Sequence, residues 1–273
     1  MTSPLQPQTP PALGTPAMEN SGVVEVECSG LPILLSAEAN TEEILWLQQE
    51  LSRNDFEPYV IRALRENVHE SQCCFEVGSW IGIYSILLST LVGRGGSLYL
   101  FEPDPVARAA CSQNLFLNHC EDAVLLPFAV SDRNGERVLY NASEFGNSQS
   151  TLIAKPNARL DRVQARKVRT CTLDDFARML GVSPDFVKID VEGAEGDVIE
   201  GGSEVLGRRG VKCVIEVHAK ILRRLGIDPA SIVARLRALK KRTWLLDLEP
   251  REVTEAEGGA FTDCRTFHLL ASD

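Results

Sequence analysis

Two glycines follow a short apolar run and frame a turn into a helix. Gly78 and Gly82 are spaced G-x-x-x-G, and Glu76 stands two positions before the first of them. In an open α/β sheet, such a turn lets the backbone approach a nucleotide-like ligand. The spacing differs from the G-x-G-x-x-G pattern that sets a helix N-terminus against a pyrophosphate. A carboxylate at this strand end repels phosphate and attracts an ammonium or sulfonium group, so the turn predicts a ligand that is cationic there.

Two further strand ends supply the other parts of a nucleoside site. Glu102 ends the second strand-like run, where a carboxylate is placed to accept both hydroxyls of a ribose. The third run ends Ala129-Val130-Ser131, whose backbone and small side chains suit an adenine. A glycine turn, a ribose carboxylate and this third strand end, in that order, predict S-adenosylmethionine as the cofactor. The predicted cofactor-binding residues are Glu76, Gly78, Ser79, Gly82, Glu102, Ala129, Val130 and Ser131.

Acidic residues and a histidine end the next two strand-like runs. Asp190 ends the first of these runs and Glu192 follows in the loop, whereas Glu216 and His218 alternate with Val217 at the end of the second. Because side chains alternate along a strand, Glu216 and His218 share one face, one strand over from Asp190. A hydroxyl nucleophile needs a base, and a carboxylate or an imidazole can serve. The predicted catalytic residues are Asp190, Glu192, His218 and Glu216. The same four groups could hold a divalent cation, but no spacing fixes such a site and no metal is predicted.

Strand-like and helical patterns alternate from residue 72 onward, except that no helix separates the last two runs, 243–248 and 265–270. This alternation predicts an α/β fold, a mostly parallel sheet covered on both faces, with an antiparallel edge. Helical patterns at 41–53 and 56–68 precede it, after a proline-rich start that offers little to bury. The predicted organisation is a disordered tail over residues 1–22, an N-terminal helical cap over 23–70 and one Rossmann-like domain with a seven-stranded sheet over 71–273.

The run K-I-D-V-E-G-A-E at residues 188–195 is the most specific segment of the sequence. It resembles the signature of the FkbM-like S-adenosylmethionine-dependent methyltransferases, and the likeness extends over about residues 72–247. Residues 102–105, 129–132 and 215–218 are similar to further family landmarks in the expected order. Glu76 and Trp80 depart from the aspartate and asparagine that are usual in the family. The resemblance implies a class I methyltransferase fold and methyl transfer to an oxygen of a small molecule or sugar-like group.

The charge and the apolar content of the chain narrow its partners. Its 273 residues hold 28 Lys and Arg against 38 Asp and Glu, a formal net charge of −10. Such a surface suits nucleic acid poorly, and the apolar runs are far shorter than the ~20 residues of a membrane span. Eight cysteines without a C-x-x-C pair favour free thiols and a cytoplasmic location. We predict a small-molecule or glycan acceptor, no nucleic-acid partner and no membrane span; the sequence specifies no oligomeric state.

Two other functions stay open at this point. Trp80 places a large indole beside the cofactor turn, which is compatible with a non-catalytic binding or scaffold module that retains the methyltransferase fold. A nicotinamide-dependent reductase is disfavoured by the missing G-x-G-x-x-G pattern. The leading prediction is an S-adenosylmethionine-dependent methyltransferase that methylates a hydroxyl oxygen.

Overall fold

The computed structural model describes residues 22–36, 41–53, 56–141, 150–152, 164–253 and 265–273. Apart from Gly22, the predicted tail lies outside these residues. The strands are β1 (Val23–Cys28), β2 (Leu31–Ser36), β3 (Cys73–Val77), β4 (Ser97–Phe101), β5 (Val124–Leu126), β6 (Phe128–Val130), β7 (Gly135–Asn141), β8 (Gln164–Cys171), β9 (Phe186–Ile189), β10 (Lys212–Val217), β11 (Arg242–Leu245), β12 (Arg251–Glu252) and β13 (Phe267–Ser272). The helices are α1 (Thr41–Ser52), α2 (Pro58–Asn67), α3 (Ile83–Val92), α4 (Pro105–Leu117), α5 (Leu173–Leu180), α6 (Glu195–Gly201), α7 (Ser203–Gly207), α8 (Ala219–Arg224) and α9 (Ala230–Ala238).

The central sheet has the strand order β12-β11-β13-β10-β9-β3-β4-β5. Strands β10, β9, β3, β4 and β5 are parallel, whereas β13 runs antiparallel between β10 and β11. The α/β class with a mostly parallel Rossmann-like sheet is thereby confirmed. Seven of the eight strands are the predicted ones, and the two-residue β12 extends one edge. Two strands run antiparallel to the others, β13 inside that edge and β12 at its outer border, so the predicted antiparallel edge is present.

Two apolar cores, one on each face, hold the sheet. Cys74 packs into the core beneath α3 and α4, while its neighbour Phe75 packs into the opposite core against Phe101 and Phe176. Burial of each such phenylalanine side chain stabilises the fold by roughly 1.5–3 kcal/mol. Because β3 and β9 are covered on both faces, their ends are fixed relative to each other, which is what a site at those ends requires.

A second, smaller sheet with the order β6-β8-β7 was not predicted. The sequence suggests one strand over residues 123–130, but Pro127 divides it into β5 and β6. Proline has no N–H to donate to a strand ladder, so the chain leaves the central sheet at this residue. Strand β6 then pairs in parallel with β8, and both lie beside the ends of the central strands.

The N-terminal segment contains a β-hairpin in addition to the two expected helices. Strands β1 and β2 pair antiparallel through a turn at Ser29 and Gly30, both with positive φ. Side-chain amides of α4 fasten β2, since Asn118 and Asn114 accept the backbone N–H groups of Leu34 and Ser36. Helices α1 and α2 lie where the periodicity predicts them. The division of the chain into a cap and a domain stays a prediction.

Within the described ranges, each helix is too short or too polar to cross a bilayer. The seven cysteines in these ranges are free thiols.

Candidate active site

The site lies where the parallel strands end. Strand register sets Val77, Ile189 and Ile215 side by side on β3, β9 and β10. The residues that follow each of them therefore meet at one edge of the sheet. In open α/β sheets this carboxyl edge is the usual place for a ligand.

The turn after β3 packs directly on the end of β9. Gly78 has a φ of 85°, and a Cβ at this position would collide with the backbone carbonyl oxygen of Asp190. Only glycine satisfies both the positive φ and this close approach. Trp80, two residues later, also has a positive φ, of 47°. Such strain in a non-glycine residue persists where the surroundings fix it, often at a functional site.

A first cleft, here called the apolar cleft, opens between this turn, the end of β4 and the small sheet. Its void is about 700 Å³ including the mouth, within the range of small-molecule sites. Four predicted cofactor-binding residues line it, namely Gly78, Glu102, Ala129 and Val130. Most of the remaining wall is apolar, including Phe101, Pro103, Ala107, Phe128, Leu139 and Leu152.

Glu102 is a buried carboxyl group in the wall of the apolar cleft. Its Oε2 accepts the backbone N–H of Trp80 at 2.8 Å, and its Oε1 accepts that of Asp104 at 2.9 Å. Burial raises the pKa of Glu102 to about 8, although these two N–H bonds oppose the rise. One side chain thus fixes both the turn after β3 and the turn after β4. Each oxygen keeps a further lone pair that can accept a ligand hydroxyl.

The other predicted cofactor-binding residues lie outside the wall of the apolar cleft. Ser79 lines a neighbouring cleft, described below. Gly82 precedes α3, with Cys111 Sγ 3.0 Å from the place that a Cβ would occupy, and Ser131 is fully buried. Their part in cofactor binding stays a prediction.

Glu76 is also fully buried, behind the site rather than in a cleft wall. Its Oε2 accepts the hydroxyl of Ser85 at 2.6 Å, and its Oε1 lies 3.8 Å from Lys188 Nζ without a hydrogen bond. Burial raises the pKa of Glu76 to about 7, against the opposing charge of Lys188. The predicted role of Glu76 in cofactor binding is likewise untested.

A second cleft, here called the acidic cleft, lies on the other side of the turn, with a void of about 640 Å³ including its mouth. It shares Gly78, Trp80, Asp190 and Glu192 with the apolar cleft, so these four residues form a dividing wall. All four predicted catalytic residues line it. Among the residues that the structure describes, its lining consists of Trp46, Phe56, Glu57, Gly78, Ser79, Trp80, Ile83, Tyr84, Lys188, Asp190, Glu192, Glu216 and His218.

His218 is held in a fixed orientation by a buried glutamate. Its Nδ1 lies 2.7 Å from Glu195 Oε1, and its Nε2 lies 3.4 Å from both Glu192 Oε1 and Glu216 Oε1. Burial alone would lower the pKa of His218, but hydrogen bonds with Glu192 and Glu195 raise it well above 6.5. At neutral pH the ring is therefore an imidazolium that donates protons in hydrogen bonds.

Glu216 has the properties of a base matched to neutral pH. Burial raises its pKa to about 7, with the charge of Asp190 acting in the same direction. Besides His218, it faces His268, whose Nε2 lies 3.6 Å from Glu216 Oε2. A group with this pKa is partly ionised at pH 7, where general bases work best.

Asp190 is a permanent carboxylate in the dividing wall. Its Oδ2 lies 3.3 Å from the ammonium of Lys188, which also stands 4.3 Å from the centre of the Tyr84 ring. Burial would raise the pKa of Asp190, but the charge of Lys188 lowers it below 3.8. A carboxylate so acidic is a poor base and a good hydrogen-bond acceptor.

The structure adds five titratable residues that the sequence analysis did not place in the site: Glu57, Tyr84, Lys188, Glu195 and His268. Glu57 precedes α2 with a φ of 41°, bonds the hydroxyl of Tyr84 and lies 3.6 Å from His268 Nε2. A weak signal for His268 exists, since it alternates with buried residues in a strand, but only the β10–β13 register sets it opposite Glu216.

Side chains in the acidic cleft could also bind a cation. One group comprises Asp190, Glu216 and His218, the other Glu57, Glu216 and His268, and the potential ligand atoms within each lie within 4.8 Å of one another. Lys188 and the two histidines already provide positive charge next to these carboxylates. The site thus compensates part of its negative charge with its own side chains.

Comparisons with known proteins agree with this geometry. A model of the methyltransferase FkbM domain matches residues 75–243. The chain is 36% identical over 120 residues to the 2-O-methyltransferase NoeI of Sinorhizobium fredii, a match that covers 40% of this chain and 49%, about half, of NoeI. It is 27% identical over 244 residues to the hexuronic acid methyltransferase AglP of Haloferax volcanii, covering 88% of this chain and 90% of AglP. A SAM-dependent O-methyltransferase from Thermotoga maritima superposes with a TM-score of 0.47 at 11% identity, covering 92% of this chain and 77% of that one.

Proposed function

Because the chain belongs to the FkbM methyltransferase family, we propose that it transfers a methyl group from S-adenosylmethionine to a hydroxyl oxygen of a sugar or sugar-like acceptor. The name of NoeI, a 2-O-methyltransferase, supports an oxygen as the methylated atom, and the name of AglP, a hexuronic acid methyltransferase, supports a sugar-like acceptor.

The wall shared by the two clefts carries this proposal. Gly78, Trp80, Asp190 and Glu192 separate a largely apolar cleft from one lined by titratable side chains. Methyl transfer needs a cofactor and an acceptor side by side, held in line and shielded from water. Two adjoining clefts with a common wall meet that requirement.

The apolar cleft has the features that S-adenosylmethionine needs. Glu102 would accept the ribose hydroxyls, and the apolar wall around Phe101 and Phe128 would cover the adenine. When bound, the cofactor supplies a methyl group activated by a sulfonium charge. Carboxylates in the dividing wall, Asp190 and Glu192, place negative charge where that sulfonium is attracted.

The acidic cleft would bind and activate the acceptor. We assign the base to Glu216, which would take the proton of the acceptor hydroxyl as the hydroxyl oxygen bonds to the methyl carbon and the bond from that carbon to the cofactor sulfur breaks. His218, a donor at neutral pH, orients Glu216 and Glu192 from one side. Asp190 accepts a hydrogen bond from the acceptor at the dividing wall. The products are a methyl ether, S-adenosylhomocysteine and a proton that Glu216 passes to solvent.

Trp80 bears on the non-catalytic alternative. Its indole stands in the dividing wall, and its backbone N–H is bonded to Glu102. The apolar cleft remains open at about 700 Å³ with this indole in place. Nothing about Trp80 therefore favours a scaffold function over catalysis.

A chemical test of the product separates hydroxyl methylation from other methyl transfers. With methyl-labelled S-adenosylmethionine and a mixture of p-nitrophenyl glucoside and p-nitrophenyl glucuronide, we expect label that survives mild alkali. A methyl ether, the product of hydroxyl methylation, is stable there, whereas a methyl ester, which only the glucuronide carboxylate can form, is not. Chromatography of the glycoside before and after alkali measures this. Label that alkali removes, or no label above a heat-denatured control, would contradict hydroxyl methylation.

A further inference from the structure

The charge balance of the acidic cleft limits the acceptors it can take. Its wall carries four carboxyl groups, Glu57, Asp190, Glu192 and Glu216, and two more stand directly behind them, Glu76 and Glu195. The basic groups in and beside the cleft are three, Lys188, His218 and His268. Even with both histidines protonated, carboxyl groups outnumber basic groups.

Each basic group already has carboxylate partners. Lys188 Nζ lies between Asp190 and Glu76, at 3.3 and 3.8 Å. His218 is bonded to Glu195 at 2.7 Å. His268 Nε2 lies 3.6 Å from carboxylate oxygens on both sides, one from Glu57 and one from Glu216.

Among the described residues that line this cleft, none is an arginine. Arginine is the side chain best suited to bind a carboxylate in two parallel hydrogen bonds. An acceptor carboxylate would therefore lose its hydration and meet excess negative charge without gaining an ion pair. Hydroxyl and ammonium groups, by contrast, donate hydrogen bonds to carboxylates.

Aromatic rings form the rim of the same cleft. Trp46 is 49% exposed although it is a large apolar side chain, and its ring meets that of Phe56 edge to face at 6.4 Å. Phe56 in turn stacks on Tyr84 at 5.7 Å. An exposed aromatic surface beside hydrogen-bond acceptors fits a sugar ring, which has an apolar C–H face and a polar periphery.

Part of this recognition surface lies outside the part of the chain that matches the family model. Trp46, Phe56 and Glu57 line the cleft and precede residues 75–243, whereas the four predicted catalytic residues lie within them. The N-terminal segment thus supplies groups that face the acceptor, and the matched part supplies the cofactor cleft and the catalytic groups. Acceptor choice in this chain can therefore differ from that of its relatives.

Resting on the proposed function, we infer that the acceptor is a glycoside without an anionic group, either uncharged or amino-bearing, and that the acidic cleft rejects sugars with a carboxylate. Glu57 lines the cleft but is not one of the predicted catalytic residues, and its carboxyl group adds to the repulsion of an acceptor carboxylate. The aromatic rim at Trp46 and Phe56 binds the sugar face.

Three p-nitrophenyl β-glycosides that differ in one substituent test the inference: the glucoside, the glucosaminide and the glucuronide. We expect kcat/KM for the glucuronide to be at least about 100-fold below the values for the other two, since like charges at close range are strongly unfavourable. Glu57→Gln removes one carboxyl group from the wall of the acidic cleft. It should lower the ratio of kcat/KM for the glucoside to kcat/KM for the glucuronide by about 3- to 10-fold. Glu66→Gln, on the exposed side of α2, is the matched control and should leave it unchanged.

The same preparations are titrated with S-adenosylhomocysteine. This titration distinguishes failure of the proposed function from failure of the inference about acceptor charge. Loss of cofactor binding and of all transfer would refute the proposed function itself. Cofactor binding with a glucuronide rate equal to or above the glucoside rate would overturn the inference alone. Cofactor binding with no transfer to any of the three glycosides would contradict the proposed hydroxyl methylation as well. A third result would also overturn the inference: millimolar Mg²⁺ makes the glucuronide a good acceptor, and a chelator reverses this effect. A bound cation would then determine the charge of the cleft.

Discussion

Glutamine in place of Glu216 should lower kcat for methyl transfer about 100- to 10,000-fold, the usual contribution of a general base. The amide keeps the size of the side chain but cannot take a proton from the acceptor hydroxyl. Glu216 lines the acidic cleft and not the apolar one, so the Kd for S-adenosylhomocysteine should stay within about twofold, a change well below 1 kcal/mol. Steady-state kinetics and calorimetry on the same sample measure both quantities.

The pH profile gives this prediction a second readout. Burial raises the pKa of Glu216 to about 7. A carboxyl group is a base only when deprotonated, so wild-type kcat/KM should rise with pH through about 7 and level off above it. In Glu216→Gln this rise should be absent.

Exposed Glu66 provides the matched control, since Glu66→Gln makes the same chemical change outside the clefts. Its rate and pH profile should equal those of the wild type. Unchanged kcat in Glu216→Gln would place the base elsewhere, and the same rise with pH in that variant would exclude Glu216 as its origin. Loss of the rise in His218→Gln alone would shift the assignment to the imidazole.

Alanine in place of Glu102 should raise the Kd for S-adenosylhomocysteine about 10- to 100-fold. Above pH 8 the Glu102 side chain is a carboxylate, because burial raises its pKa to about 8. Hydrogen bonds to a charged group then contribute about 1.5–3 kcal/mol, and about 1.4 kcal/mol is a factor of ten. The carboxylate also holds the backbone N–H groups of Trp80 and Asp104, so its removal loosens two turns of the cleft. Titration calorimetry measures the change.

Two further variants define the outcome at Glu102. Glu102→Gln retains one good acceptor oxygen, so its Kd for S-adenosylhomocysteine should lie between those of the wild type and Glu102→Ala. This variant keeps the test usable if Glu102→Ala is unstable. Glu121→Ala, an exposed position after α4, should bind like the wild type. Equal Kd values in wild type and both Glu102 variants would mean that the ribose is bound by other groups.

Much of the site was predictable because strand patterns locate strand ends. Asp190, Glu216 and His218 end adjacent buried runs, and parallel pairing alone is enough to bring them to one edge. Gly78 and Glu102 follow from the same reasoning, one and two strands away from Asp190. The prediction works where local pattern and sheet topology agree.

The rest depends on contacts that local sequence does not encode. His268 reaches Glu216 through the antiparallel register of β13, and Glu57 reaches Tyr84 through the packing of the N-terminal helices. The sequence position of Glu195, at the start of a helix, is equally compatible with a residue that only stabilises the helix dipole. In the structure Glu195 is buried, and its carboxylate contacts His218. Glu76 occupies a predicted cofactor position but turns toward Ser85 and away from both clefts.

Titration of the wild-type chain with S-adenosylhomocysteine tests most directly whether the apolar cleft is the cofactor site. We expect saturable one-to-one binding with a Kd at or below about 100 µM, within the usual range for enzyme substrates, unchanged by Glu216→Gln and weakened by Glu102→Ala. The protein is first shown to be folded by circular dichroism. If it then does not bind S-adenosylhomocysteine at millimolar concentration, the apolar cleft is not a cofactor site.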